Sequence, residues 1–258
     1  MADPLPYTVL SCCVSLDGCL DDASECRLVL SNDADLDRVD DVRAGVDAIL
    51  VGAGTVRADD PRLLVRSATR RQARLRRGLG ESPLKVTVTE HGKLDVGARF
   101  FTVGDGPKLV YCASGCAADV SDAVGERAVV VVLGAAVGMR AVAEDLYRRG
   151  VRRLLVEGGA SVLRQFLDEG LADELQLAVA PLLVGHPDAP RLLGPVTGER
   201  PPRRVPLVTA TPVGDVVVLR YALSERFTER LTGTPADGRA GGPAGGPADG
   251  LAKGQEER

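Results

Sequence analysis

Two short glycine-bearing segments hold most of the chemistry open to this chain. Gly52-Ala53-Gly54-Thr55 follows the apolar run Val46–Val51, and Gly158-Gly159-Ala160-Ser161-Val162 follows Arg153–Val156 and Glu157. Glycine lets backbone N–H groups come close to a ligand, and Thr55 adds a hydroxyl. A helix opening directly after the second segment would offer unpaired N–H groups and the positive end of its dipole to an anion. The dinucleotide fingerprint needs a third glycine at position 57, where Arg57 stands, so the Rossmann signature is not met. A tight turn that simply requires small residues is the competing reading of the first segment.

Glu157 ends its strand at the carboxyl edge of the sheet, where open α/β sheets bind ligands. It reads either as a polar group of the site or as a solvated loop carboxylate. Asp59-Asp60-Pro61-Arg62-Leu63 adds carboxylates near the first glycine segment, able to hold a ribose hydroxyl or a substrate N–H. An ordinary Asp-Pro loop start explains the same residues. Eight arginines lie between Arg57 and Arg77. One or two can clamp a phosphate through their planar fork, and a solvated basic helix face accounts for Arg70–Arg77. No aromatic residues interleave with them, which speaks against nucleic-acid binding.

The other reactive residues lack useful spacing. Cys112-x-x-x-Cys116 is not a redox pair, and neither His91 nor His186 stands at metal-ligand distance from cysteines, so no metal is expected. The six cysteines read as buried and inert. No nucleophile elbow or phosphate-binding Walker loop occurs. The formal charge of −4 gives no general attraction to nucleic acid or membrane. No apolar run approaches the ~18 residues of a membrane helix, and the N-terminal residues do not form a secretory signal. A cytoplasmic protein is expected.

The elements that must carry these groups follow from periodicity. Tyr7–Val14, Val46–Val51, Leu84–Thr89, Lys108–Tyr111, Ala128–Leu133 and Arg153–Val156 read as strands. Asn32 with Asp35 three residues on predicts a helix N-cap, and Gly45 ends that helix. Helices are expected over Ala117–Val124, Val137–Arg149 and Ser161–Glu169. This alternation predicts an α/β domain with a mostly parallel sheet and helices on both faces. Apolar residues are 45% of the chain but aromatics only 3%, so Val, Leu and Ala must build the core. Glu174–Ala180 and Asp215–Tyr221, separated by proline-rich sequence, suggest antiparallel edge strands. One domain over residues 1–228 is expected, with residues 229–258 a disordered Gly/Pro/Ala-rich tail.

Four segments resemble the riboflavin-biosynthesis pyrimidine reductase family, the reductase half of the bifunctional deaminase–reductase. They are Ser15-Leu-Asp-Gly18, the long run Asp47 to Leu63, Leu155-Val-Glu-Gly-Gly159, and Gly170-Leu-Ala-Asp-Glu-Leu175 with Ala180-Pro-Leu-Leu-Val-Gly185. The resemblance spans residues 7–222. It implies a dihydrofolate-reductase-like fold, a homodimer, NADPH as hydride donor and a ribosylaminopyrimidine phosphate, of the 5-amino-6-(5-phosphoribosylamino)uracil type, as substrate. The ribosyl group would be reduced at C1′ of an open-chain imine to ribityl. It further implies cofactor contacts at Gly52, Gly54, Thr55, Asp59 and Gly158 through Val162, the cradle running on to Gln165. Substrate contacts would fall at Arg43, Leu63, Arg66 and Glu157, with Arg66 facing the phosphate and Glu157 in a polar catalytic role.

This chain departs from the family pattern at three points. Arg27 and Val29 replace a small polar residue and an aromatic, which leaves open a relative recruited to another small carbonyl or imine. Thr89-Glu90 stands where Asp-Ser is usual, and a glutamate there would repel a 2′-phosphate. The zinc signature of the partner deaminase is absent. A non-catalytic nucleotide-binding protein of the same fold is the alternative from another class.

Overall fold

Buried Val, Leu and Ala runs become a single nine-stranded sheet in the computed structural model, which describes residues 4–22, 24, 28–193 and 203–227. The elements in chain order are β1 (Tyr7–Val14), α1 (Asp33–Ala44), β2 (Ala48–Gly52), α2 (Ala53–Asp59), α3 (Ala68–Arg76), β3 (Leu84–Thr89), α4 (Arg99–Thr102), β4 (Lys108–Cys112), α5 (Ala117–Val124), β5 (Val129–Val132), α6 (Met139–Arg148), β6 (Arg153–Gly158), α7 (Ala160–Asp168), β7 (Glu174–Val179), β8 (Leu207–Val213) and β9 (Val216–Ala222). The sheet order is β5-β4-β3-β2-β6-β1-β7-β9-β8. Strands β5 through β7 run parallel, and β9 and β8 are antiparallel. This is the dihydrofolate-reductase-like α/β fold. No helix among the described residues is long and apolar enough to cross a membrane.

Strand β2, buried at every position, sits in the middle of the sheet and carries the first glycine segment at its carboxyl end. The predicted cap of α1 forms: the Asn32 side chain accepts the Asp35 N–H at 2.8 Å. Its amide nitrogen donates to the Val213 carbonyl at 2.7 Å and to Asp215 at 2.6 Å, tying α1 to the β8–β9 turn. Gly214 in that turn has φ +65°, and a Cβ there would fall 2.5 Å from the Asn32 amide nitrogen, so only glycine fits.

Four expectations need correction. Glu174–Val179 is not an antiparallel edge strand; it lies parallel to β1, with β9 on its other side. Strand β8 was not predicted, because Pro206 and Pro212 mark its sequence as loop, and prolines are tolerated on an edge strand. The competing reading of Gly52-Ala53-Gly54-Thr55 as a tight turn is not met: these residues are the cap and first residues of α2. Arg70–Arg77 is not uniformly a solvated face. Arg74 is buried and donates to the carbonyls of Ala44, Val46 and Gly80, while Arg70 pairs with Asp37, Asp40 and Asp41. Arg27, Cys26 and the tail over residues 229–258 lie outside the described residues.

The antiparallel end of the sheet has an inverted pattern. On β7 the buried positions are Glu174, Gln176 and Ala178, whereas Leu175, Leu177 and Val179 are only half-buried. Pairing aligns those three with Tyr221, Leu219 and Val217 of β9, and onward with Leu207, Ala210 and Pro212 of β8. One face of this end is therefore apolar throughout and partly exposed, with Leu207 and Val217 prominent.

Candidate active site

A cleft of about 770 Å³ opens along the carboxyl edge of the parallel strands. Both glycine segments border it. Gly159 is the N-cap of helix α7 and offers no side-chain cap, so the first N–H groups of the helix are available to a ligand. Close packing makes the glycines necessary. A Cβ at Gly158 would lie 3.1 Å from Thr55 Cγ2, and one at Gly52 3.1 Å from Val162 Cγ2. Gly159 has φ +84°, and a Cβ there would meet Thr55 Oγ1 at 3.3 Å. Backbone thus forms the surface where side chains would otherwise stand. A dinucleotide phosphate fits such a surface: it is anionic, and it is satisfied by backbone donors and the α7 dipole.

Glu157 reaches the cleft through an irregularity. Along β2–β6, Leu50 pairs with Val156 but Val51 pairs with Gly158, so Glu157 has no partner on β2. Such a bulge re-aims the side chain at the skipped position. Its carboxylate takes two hydrogen bonds from Arg43 of α1, Nε to Oε1 at 2.6 Å and Nη2 to Oε2 at 2.5 Å. Burial works against the Arg43 charge, but the adjoining carboxylate outweighs it and holds the guanidinium pKa above its ordinary value. Arg43 Nη1 completes its set on the Leu64 carbonyl at 3.3 Å.

Among the expected site residues, Gly52, Gly54, Thr55, Asp59, Gly158, Gly159, Ala160, Ser161, Val162, Gln165, Arg43 and Glu157 all line this cleft. Leu63 and Arg66 do not. Leu63 is buried in the core at φ +49°. The Arg66 guanidinium donates to the carbonyl of Leu36, itself a lining residue, which puts Arg66 at the rim. Glu90 also lines the cleft, and its carboxylate accepts the Val137 N–H at 3.0 Å. Lys93 and Arg57 border the same end, joined by a hydrogen bond from Arg57 Nη1 to the Lys93 carbonyl. Val29, one of the departures from the family pattern, is exposed and also lines the cleft.

Sequence reasoning missed the groups at the β1–α1 corner: Ser11, Cys12, Cys13, Ser31, Asp35 and Arg38. The available signal was the carboxyl end of β1, which enters the same sheet edge as the glycine segments. The thiols there are poor nucleophiles. Burial raises the Cys12 pKa to about 12 and raises that of Cys13 as well. No group of three or more metal-ligating side chains occurs among the described residues.

A dihydrofolate-reductase-like sheet with backbone cradles and an ion pair lining the cleft at its carboxyl edge is that of an oxidoreductase domain that uses a nicotinamide cofactor. The RibD C-terminal domain family matches residues 6–219, and the chain belongs to that family. A 2,5-diamino-6-ribosylamino-4(3H)-pyrimidinone 5′-phosphate reductase of Archaeoglobus fulgidus is 38% identical over 187 residues, covering 72% of this chain and 84% of that one. A protein of the same name from Methanothermobacter thermautotrophicus is 32% identical, covering 73% and 83%. Among solved structures, a pyrimidine reductase-like protein of Corynebacterium diphtheriae superposes with a TM-score of 0.73 at 22% identity, covering 84% of this chain and 91% of that one.

Proposed function

We propose that this chain reduces the ribosyl group of a ribosylaminopyrimidine 5′-phosphate to ribityl in riboflavin biosynthesis, with NADPH as hydride donor. The observation that carries the reading is the Arg43–Glu157 pair at the β6 bulge, directly beside the glycine cradle. A nicotinamide held in this cleft would supply hydride chemistry at the substrate carbon. The chain's own residues hold and exclude. The α7 N-terminus and Gly158-Gly159 take the cofactor phosphates, Thr55 and Asp59 flank them, and Glu157 accepts from substrate hydroxyl or N–H groups. With both oxygens already accepting from Arg43, Glu157 is held in place as an acceptor that anchors the substrate.

Arg57 and Lys93 line the cleft together with Glu90, setting two cations against its one carboxylate, which supports NADPH. Relatives at 38% and 32% identity carry the name of the 2,5-diamino pyrimidinone reductase, which favours that form over the deaminated uracil. The apolar face of β7, β9 and β8 suits a second copy of the chain, giving a homodimer. The described cysteines are unpaired, in keeping with a reducing cytoplasm.

Titration with NADPH and NADH, followed by turnover assays on the diamino pyrimidinone and uracil forms, tests this directly. NADPH binding with turnover of either ribosyl phosphate is expected. Cofactor binding without turnover of either form would favour the non-catalytic alternative.

A further inference from the structure

Two arginines of α1 line the cleft, and they differ in what they have left to give. Arg43 has all three guanidinium nitrogens engaged, on Glu157 and on the Leu64 carbonyl. Arg38 donates from Nε to Asp35 Oδ1 at 2.8 Å and from Nη1 to Gln176 Oε1 at 2.6 Å. Its Nη2 makes no hydrogen bond among the described residues. An arginine that lines the cleft, fixed at two nitrogens with the third unused, is prepared for a ligand acceptor.

Its fixation is specified from behind. Gln176 Nε2 donates to Glu174 Oε1 at 2.8 Å, and Glu174 also accepts from Arg220 Nε at 2.8 Å and from the Tyr7 hydroxyl at 3.2 Å. The paired Glu174 carboxylate only accepts, so Gln176 must turn its amide NH2 to Glu174 and its oxygen to Arg38. A flipped amide would set acceptor against acceptor and donor against donor. These buried polar residues occupy the inward positions of β7, which explains why that strand inverts the usual alternation.

Charge decides the kind of acceptor. Arg38 is matched by Asp35 and Arg43 by Glu157, so these two arginines bring no net positive charge to the cleft. A phosphate gains little there from Coulomb attraction. At the rim, Arg66 is over half exposed and its Nε is 3.9 Å from the Asp40 carboxylate. We propose that Arg38 contacts the substrate, donating a hydrogen bond to a neutral carbonyl oxygen of the pyrimidinone ring. Gln176 and Glu174 are positioning residues that hold it. This rests on the reading of the cleft as a ribosylaminopyrimidine site.

The test measures kcat and KM for wild type, Arg38→Met, Gln176→Leu and their double variant. Each is assayed on the ribosylaminopyrimidinone 5′-phosphate and on its dephosphorylated form, with the NADPH Kd as a control. Loss of one charge-assisted hydrogen bond predicts a KM rise of about 10- to 100-fold in Arg38→Met. The factor should be equal on both substrates, with the NADPH Kd unchanged. Gln176→Leu should raise KM by less, and its effect should vanish in the Arg38→Met background. If a stranded Asp35 carboxylate unfolds Arg38→Met, the Asp35→Asn/Arg38→Met pair removes that charge and carries the same expectation. An unchanged KM overturns the contact, and a rise confined to the phosphorylated form reassigns Arg38 to the phosphate and overturns the carbonyl assignment. Additive effects of the two substitutions overturn the positioning role. A wild type that turns over neither form defeats the functional reading itself, an outcome distinct from any failure of the variants.

Discussion

The Arg43–Glu157 pair should behave as a unit in a double-mutant cycle. Its side chains retain only 17% and 11% exposure, and two hydrogen bonds of 2.5 and 2.6 Å join them. With charge centres about 4 Å apart and an effective dielectric near 20, the gross attraction is about 4 kcal/mol. Desolvation of both groups consumes much of it, so the net contribution of the pair is small. Removing one partner is different, because the other charge stays behind in a poorly hydrated place. Arg43→Met should therefore lower stability by about 2–4 kcal/mol. Glu157→Gln, which keeps one acceptor for Arg43, should lose about 1–2 kcal/mol. The Arg43→Met/Glu157→Met double variant should be less destabilised than the sum of the corresponding singles, with a coupling of at least about 1.5 kcal/mol. Urea unfolding with matched slopes measures all of these. Single losses that simply add in the double variant would refute the ion-pair reasoning. In the same proteins NADPH affinity should persist while turnover falls, since the pair lies beside the cofactor cradle and not in it.

Three shorter expectations follow from other parts of the molecule. Gly158→Ala sets a methyl group 3.1 Å from Thr55 Cγ2 and should weaken NADPH binding at least about tenfold with a fold cost near 1 kcal/mol; an unaltered Kd by fluorescence titration would contradict the cradle. Burial and the nearby Lys108 lower the Lys85 pKa from 10.5 to about 8, so the folded state disfavours its charge. Wild-type stability should then rise by up to about 3 kcal/mol as pH passes from about 8 to 10.5, relative to Lys85→Met, and parallel pH profiles would count against this. Val217→Lys with Leu219→Lys charges the apolar face of β9 and should convert a dimer to monomer by sedimentation velocity, whereas a monomeric wild type would remove the dimer proposal.

Most of the parallel half was legible because its signals are local. Val-rich runs followed by helical periodicity identify β1 through β6, and Asn32 with Asp35 marked the α1 cap that the structure contains. The glycine segments and Glu157 were likewise placed at the sheet edge from spacing alone. The antiparallel end was harder. Its buried positions on β7 include Glu174 and Gln176, so the alternation reads inside out until Arg38 and Arg220 are known to meet them. The arginines of α3 misled for a related reason: Arg74 looks like surface charge, yet three carbonyls brought together by the α1–β2 and α3–β3 connections receive it.

The same logic explains why the site's central residue was located but its geometry was not. Nothing in Leu-Val-Glu-Gly-Gly announces that β2 skips Glu157. The skip follows from two nonlocal demands. Gly158 must come within van der Waals contact of Thr55 on α2, and Gly159 must take a positive φ to start α7. Advancing β6 by one residue to meet β2 at Gly158 satisfies both and leaves Glu157 without a β2 partner. Arg43, near the end of α1, then receives the freed carboxylate. On this account the bulge, the glycine pair and the ion pair are one device: relaxing the glycine contacts should also loosen Arg43, although more than a hundred residues of sequence separate it from Glu157.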